Sequence, residues 1–358
     1  MSSVLALDDE VRTADDPCQF RLLCGELELR REFRRHVHPD RKLETDRSFL
    51  RILDRVHDVD CERALVEHVG HAQVGAQWLT VGVSAVDVAV VEAAIRELGL
   101  AGKAVAAHVS LRSFGHLVDG PATIVDGFLA AGSTFLASTM APGLFGISAP
   151  PSDRPARNGI DYAAQDASQA EWAEQSEVYE SSRTEVAAWL GAFSAHVAAR
   201  PDRIRCRHAS GEFAAVGSRS AQLIDAETTA DVFGLLRALV GDDGAVVLMG
   251  VGLTRMTLLH LAEVEAGRRP FIRWASGADG GAVRVRAGGC SEGFEAFADV
   301  LRTMERRVVV GESTWRVFRA REVLTHAAAA IRCYPSITHC RNEHCVECAD
   351  AIAGGPLE

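Results

Sequence analysis

The chain has 358 residues, of which 47% are hydrophobic and 24% charged, and its formal net charge is -11. This length and apolar content allow a sizeable core and exclude general disorder, while the acidic balance argues against nucleic acid as a partner. There is no apolar run of the roughly 18 residues that a membrane helix needs. The acidic N-terminus also lacks the basic start of a signal peptide. We therefore expect a cytoplasmic protein with no membrane partner.

Residues 18–74 are rich in arginine and histidine, and their apolar residues recur at spacings of three and four. Such periodicity is typical of helices. We therefore predict an N-terminal helical extension over residues 1–75. Its helices could form a homodimer contact or cover the cleft for a substrate.

From residue 86 onward, apolar strands alternate with helical patterns, and this alternation predicts an α/β fold with helices on the faces of a sheet. The predicted helices are 86–100, 121–132, 185–200, 231–240, 256–267 and 320–332, and the predicted strands are 103–111, 133–140, 204–211 and 245–253. Residues 141–179 read as a long loop of the kind that forms lids. Residues 274–320 suggest a small antiparallel section.

The segment HVSLRSFG, residues 108–115, ends a buried strand with a histidine, two serines and an arginine. Backbone N–H groups at such a strand end form an anion site, to which Ser110, Arg112 and Ser113 add donors. The residues alone therefore allow either a phosphate site or an ordinary polar turn here.

Three further blocks follow in order: RCRHASGEFAAVG (205–217), MGVGLTRMTLLHLAE (249–263) and GGCSEGF (288–294). Together with HVSLRSFG, these blocks resemble the antibiotic N-acetyltransferase family, typified by aminoglycoside 3-N-acetyltransferases. The resemblance covers Trp78 to Ile331. It implies an α/β catalytic domain over residues 76–332, with a central mixed sheet flanked by helices. The implied activity is direct acetyl transfer from acetyl-CoA to the 3-amino group of an aminoglycoside, a reaction that confers antibiotic resistance.

The resemblance also implies roles for individual residues. His208 matches the catalytic histidine, while His260 and Glu263 match residues near the substrate amine. Residues of the first block match the lining of the coenzyme cleft: His108, Ser110, Leu111, Arg112, Ser113, Phe114 and Gly115. The partners implied are therefore an acyl-CoA and a small-molecule amine.

The chemistry of amine acylation fits these residue types. An amine is protonated at neutral pH, and an imidazole has a suitable pKa to remove its proton. A carboxylate would orient that imidazole, with Glu263, Glu180 and Glu185 as candidates in falling order. We also expect Glu180 to contact the substrate. Oxyanion donors would be backbone N–H groups or the hydroxyls of Ser110 and Thr257.

Several positions depart from the family pattern. Ala209 follows the catalytic histidine in place of proline, and Glu212 replaces serine. The segment Leu136–Met140 and residues Thr254 and Met256 also differ from the pattern. These changes affect the acceptor side, so two alternatives stay open: a biosynthetic N-acyltransferase for another amine, or a non-catalytic binding module of the same fold.

Residues 333–358 form a cysteine-rich tail, and the chain has nine cysteines in total. Cys340, Cys345 and Cys348 follow a C-x4-C-x2-C spacing that suits one tetrahedral zinc. Cys333 or an interleaved histidine would be the fourth ligand, although Cys290 of the GGC block could also reach the site. Reduced thiols without metal and a redox role for the thiols are the alternatives. A Cys206–His208 nucleophile is conceivable, but packing is the favoured role for Cys206.

Overall fold

The computed structural model describes residues 79–81, 85–168 and 177–358. The predicted helical extension over residues 1–75, and the homodimer contact expected of it, lie outside these ranges. No helix among the described residues is long and apolar enough to cross a membrane.

An eight-stranded mixed sheet forms the centre of the fold, in the order β1-β10-β11-β7-β2-β3-β6-β5. Its strands are β1 (Leu79–Val81), β2 (Ala104–Val109), β3 (Thr134–Ser138), β5 (Ile204–Arg205), β6 (Phe213–Val216), β7 (Ala245–Met249), β10 (Arg306–Val310) and β11 (Ser313–Arg319). A second, three-stranded antiparallel sheet has the order β4-β8-β9 and contains β4 (Gly146–Ile147), β8 (Phe271–Ser276) and β9 (Ala282–Ala287). The predicted mixed α/β architecture is confirmed.

Ten α-helices occur in the described ranges. They are α1 (Val88–Glu97), α2 (Pro121–Ala130), α3 (Pro142–Phe145), α4 (Tyr162–Ser168), α5 (Gly191–Ala199), α6 (Ser220–Ile224), α7 (Gly234–Gly241), α8 (Leu258–Glu265), α9 (Ala320–Cys333) and α10 (Val346–Ile352). Local chemistry sets their ends. Asp87 caps α1, since its carboxylate accepts a hydrogen bond from the Val90 N–H at 2.9 Å. Pro121 begins α2, a position where the backbone N–H has no partner within the helix and proline is therefore tolerated.

The core lies on the faces of the large sheet. Strands β3, β6 and β7 are buried at every position, as expected of strands covered on both sides. Trp315 of β11 is fully buried and contacts Phe114 and Phe128, with ring centroids 6.1 and 6.3 Å apart. This aromatic packing fixes Phe114, and with it the turn after β2, against the sheet.

Four predicted elements need correction. The helix predicted over 185–200 begins only at Gly191, whose φ of 79° is unsuited to a helix interior. The strand predicted over 204–211 ends at Arg205. The loop predicted over 141–179 contains α3, β4 and α4. Strands β10 and β11 join the large sheet, since β11 pairs with the central strand β7.

The cysteine-rich tail packs against the small sheet and its neighbours. The Arg157 guanidinium donates to the carbonyls of Ala353 and Gly355, and the Arg269 N–H donates to the Gly354 carbonyl. Gly355 leaves no room for a side chain, because a Cβ there would lie 2.2 Å from the Arg269 carbonyl oxygen. The last residues of the chain are therefore part of the fold.

Candidate active site

The predicted site segments meet at one edge of the large sheet. Strands β3, β2 and β7 are adjacent and parallel, so their carboxyl ends share that edge. Strand β6 runs antiparallel to β3 and begins there. In open α/β sheets, ligands bind in the crevice beyond these strand ends.

The turn after β2 contacts the turn after β7. Leu111–Ser113 form a short 3₁₀-helix, and the Ser113 hydroxyl donates to the Ser110 carbonyl at 2.7 Å. A Cβ at Gly250 would lie 2.1 Å from the Ser113 Oγ, so only glycine fits between the two turns. Thr257 is the N-cap residue of α8, the next helix along the chain after the β7 turn. The structure thus places the turn of residues 108–115 directly against the turn after β7.

Two residues of that turn differ in their surroundings. Arg112 is exposed at the rim, whereas Phe114 is buried against Trp315. Burial, together with the positive charge of Arg255, lowers the pKa of His108 to about 4. His108 is therefore neutral at physiological pH and offers a hydrogen bond without a charge.

His208 lies in the turn between β5 and β6, and only 1% of the residue is exposed. Its Nε2 lies 3.1 Å from the Arg286 carbonyl oxygen, and its Nδ1 lies 2.8 Å from the Ser210 Oγ. Burial lowers the pKa of His208 to about 4, against the opposing effect of the Arg286 carbonyl. The imidazole is neutral and held at both nitrogens.

A buried carboxyl group continues this chain of contacts. The Ser210 Oγ lies 2.5 Å from the Glu212 Oε1, and Glu212 is only 8% exposed. Burial raises the pKa of Glu212, against the lowering effects of the Ser210 hydroxyl and His260. The carboxyl group linked to His208 is therefore Glu212, a residue that the sequence marked only as a departure.

The other predicted pair forms on helix α8. His260 Nδ1 lies 2.9 Å from the Glu263 Oε2, which confirms that these residues share one helix face. The Arg268 guanidinium lies 2.6 Å from the Glu263 Oε1, so Glu263 is already paired on both oxygens and lies against His260 instead of His208. The His260 ring packs between Phe233 and Phe294, which fixes its orientation.

Glu180 and Glu185 are exposed and are bonded within their own loop. The Ser182 hydroxyl donates to Glu180, and the Arg183 guanidinium pairs with Glu185. No hydrogen bond among the described residues links either carboxylate to His208. Because both carboxylates are exposed and already bonded, neither is placed to orient the buried histidine.

Glu227 is a buried carboxyl group that sequence reasoning missed. It is 6% exposed, and the Cys206 thiol contacts its carboxyl group. Burial and the neighbouring Glu212 raise the pKa of Glu227 well above its usual value. Burial likewise raises the pKa of the Cys206 thiol, which argues against a Cys206 nucleophile and for packing.

Two clefts adjoin these residues. One, of only about 20 Å³, is lined by His260, Glu263 and Phe271 among others. The second, of about 200 Å³, is lined by Thr229, Ala230 and Arg286, whose carbonyl oxygen contacts His208. His208 is thus separated from this cleft by one segment of β9.

A cluster of four cysteines lies beside the first cleft. The sulfurs of Cys290, Cys340, Cys345 and Cys348 all lie within 4.8 Å of one another. Cys345 caps α10 and Cys348 lies in its first turn, while Cys290 comes from the loop after β9. The cluster includes Cys290 where the spacing had placed Cys333 at the end of α9. Four convergent sulfurs fit a tetrahedral zinc ion.

The fold is a mixed α/β sheet with a buried histidine and a polar turn at one edge, and comparisons with known proteins show the family. Residues 107–332 match the model of the aminoglycoside 3-N-acetyltransferase family. The chain belongs to this family, as the four sequence blocks predicted.

Individual proteins similar to this chain belong to the same family by their names. The chain is 30% identical over 192 residues to aminoglycoside N(3)-acetyltransferase VIII of Streptomyces fradiae, a match that covers 52% of this chain and 63% of that protein, less than two thirds of its length. The crystal structure of the aminoglycoside acetyltransferase AAC(3)-IVa apoenzyme matches with a TM-score of 0.58 and 23% identity, covering 79% of this chain and 100% of that one. The structure of AAC-IIIb with CoASH matches with a TM-score of 0.52 and 19% identity, covering 68% and 96%. These structural likenesses establish the fold.

Proposed function

We propose that this protein transfers an acetyl group from acetyl-CoA to an amino group of an aminoglycoside, the 3-amino group by family resemblance. The observation that carries the proposal is the buried His208, which has hydrogen-bond contacts at both ring nitrogens. It lies at the same edge of the sheet as the turn of residues 108–115. The curated relative is named as an aminoglycoside acetyltransferase, and a structural neighbour contains CoASH, which supports the same choice of substrates.

In the proposed reaction, the turn of residues 108–115 and Thr257 bind the coenzyme. His260 and Glu263 hold the acceptor, with Glu180 at the rim. His208 accepts a proton from the ammonium as its nitrogen attacks the thioester carbonyl. The C–N bond forms, the C–S bond breaks, and the departing thiolate takes up a proton, so no acyl-enzyme forms. Backbone N–H groups or the hydroxyls of Ser110 and Thr257 stabilise the oxyanion.

A different amine is the second candidate for the acceptor. The observation that favours it is the pair of buried carboxyl groups, Glu212 and Glu227, beside His208. Glu212 stands where the family pattern has serine, so the surroundings of His208 differ in polar groups from those of typical members.

The test is release of coenzyme A thiol from acetyl-CoA with a panel of aminoglycosides and simple diamines. Turnover with an aminoglycoside, with the product identified by mass, supports the proposal. Turnover only with other amines would support the second candidate. Acetyl-CoA binding with no turnover on any amine would contradict both and favour a binding module.

We further propose that the four-cysteine cluster holds a structural zinc ion. Four protein ligands leave no open coordination position, so the ion would stabilise the fold and take no part in acetyl transfer.

A further inference from the structure

Glu263 is held against His260 by a buried arginine. Arg268 is 8% exposed, and its guanidinium donates to the Glu263 Oε1 at 2.6 Å. The other oxygen of that carboxylate lies 2.9 Å from the His260 Nδ1. A guanidinium carries several N–H donors in one rigid plane, so the acceptors around it fix both its position and its direction. The acceptors of Arg268 therefore determine where the Glu263 carboxylate lies.

The C-terminal segment supplies further acceptors for this guanidinium. Arg268 donates to the Thr338 hydroxyl at 2.8 Å and to the Pro335 carbonyl. Thr338 is only 2% exposed, so its bond to the guanidinium is shielded from solvent. Both acceptors lie in the short 3₁₀-helix that follows α9, beyond the residues 107–332 that match the family. The segment that orients Arg268 is therefore an addition to the part of the chain that matches the family.

The four-cysteine cluster lies directly beside Thr338. The Cys348 sulfur accepts a hydrogen bond from the Cys340 N–H at 3.4 Å and lies 4.0 Å from the Thr338 carbonyl oxygen. Gly293, in the loop that carries Cys290, packs against the same carbonyl, since a Cβ there would lie 2.2 Å from its oxygen. A metal ion that draws these sulfurs together would fix the backbone at Thr338 from both sides.

A second set of contacts leads from the cluster to His260 itself. Cys290 lies two residues after Gly288, where a Cβ would lie 2.8 Å from the His260 Cδ2. The Phe294 ring, four residues further along, has its centroid 4.8 Å from that of His260. Ala351 of α10 lines the same cleft as His260. The cluster therefore joins two segments that both lie against the His260–Glu263 pair.

We propose that Arg268 and Thr338 are positioning residues of the acceptor side, and that the four-cysteine cluster keeps them in place when it holds a metal ion. The inference rests on the proposed function, in which His260 and Glu263 hold the amine. Without the metal, Glu263 loses its fixed partner and the affinity for the amine falls. The turn of residues 108–115 is held by its own contacts with β11 and with the turn after β7, so acetyl-CoA binding is unaffected.

Thr338→Val tests the contacts that pass through Arg268, because valine keeps the branched shape and removes the acceptor oxygen. We expect the KM for the amine to rise about 3- to 10-fold, the effect of roughly one hydrogen bond, with normal zinc content. The KM for acetyl-CoA should change less than about twofold, and Thr338→Ser, which keeps the hydroxyl, should restore the KM for the amine. Thr325→Val is the matched control, since this exposed threonine of α9 bonds only within its own helix.

Removal of the metal tests the contacts that start at the cluster. A strong chelator should raise the wild-type KM for the amine at least as far as Thr338→Val does, and added zinc should restore it. Carbon-13 NMR of the histidine rings gives a readout that is independent of turnover. The His260 signals should move on chelation and return with zinc, while those of the exposed His116 stay unchanged.

His260 signals that respond neither to chelator nor to zinc would overturn the proposal. A Thr338→Val variant with the wild-type KM for the amine would overturn it as well. If the wild type acetylates no amine, the proposed function fails, whereas the His260 signals still show whether the cluster positions the His260–Glu263 pair.

Discussion

Removal of metal from the four-cysteine cluster should loosen the tail and the loop that packs against His260. In a zinc site the Zn–S distance is about 2.3 Å, so the sulfurs of a tetrahedron lie about 3.8 Å apart. The present separations, within 4.8 Å, require an inward movement of only about 1 Å. Binding therefore needs small side-chain adjustments.

The effect on stability can be estimated from mass action. An ion present at 100 times its dissociation constant stabilises the fold by about 2.7 kcal/mol. With an unfolding entropy of about 2.1 cal/mol/K per residue, that corresponds to a Tm lower by about 3–5 °C after chelation. Gly288 packs closely against His260, since a Cβ at this glycine would lie 2.8 Å from the His260 Cδ2. Disorder in this loop should therefore disturb His260 and raise the KM for the amine.

The assay combines metal analysis with thermal unfolding. We expect about one zinc ion per chain, and a Tm that falls with a strong chelator and recovers with added zinc. Cys290→Ser should lower the zinc content and Tm, whereas His344→Ala, an exposed neighbour outside the cluster, should change neither. A metal-free protein whose Tm is insensitive to both chelator and zinc would refute the reasoning.

Two further predictions concern buried charge. Arg268→Ala would leave the buried Glu263 without its guanidinium partner at 2.6 Å. We expect the free energy of unfolding, measured by urea titration, to fall by about 3–5 kcal/mol. A loss below about 1 kcal/mol would contradict the pairing. For Glu227, a raised pKa means that the folded state holds the proton more tightly, so wild-type stability falls as pH rises above the usual value of 4.5. Glu227→Gln should therefore be no more stable than wild type near pH 4 and more stable by about 1–3 kcal/mol at pH 8; a pH-independent difference would show that Glu227 is hydrated or paired in solution.

Much of the fold could be predicted from sequence because local signals agreed with tertiary structure. Strand β2 is a buried apolar run, and helix α2 begins at Pro121 and is followed by Gly132. Both elements lie nearly where the sequence predicts them. The helix at 185–200 was extended too far because its apolar spacing continues across Gly191, whose backbone requires a positive φ. Strands β10 and β11 were assigned to the small section because pairing partners far along the chain leave no local trace.

The site residues divide in the same way, since local patterns predict some of them and contacts between distant segments bring in the others. The ordered blocks predict His208, His260 and the turn of residues 108–115 as site residues, and helical spacing predicts the His260–Glu263 contact that the structure contains. The link from His208 to Glu212 was missed, although the spacing H-x-S-x-E was visible in the sequence. Glu227 lies outside every block and is brought to the site only by the path of the chain after α6. Spacing along the chain favours Cys333 as the fourth ligand, whereas the fold brings Cys290 to the other three cysteines.

The central claim is that His208 is the base in acetyl transfer, and single-turnover acetylation with a saturating amine tests it most directly. We predict that His208→Ala lowers the rate of acetyl transfer about 10²- to 10⁴-fold while binding acetyl-CoA as tightly as wild type. His116→Ala, an exposed histidine of the turn after β2, should retain the wild-type rate. A His208→Ala variant that acetylates the same amine within about threefold of the wild-type rate would contradict the account.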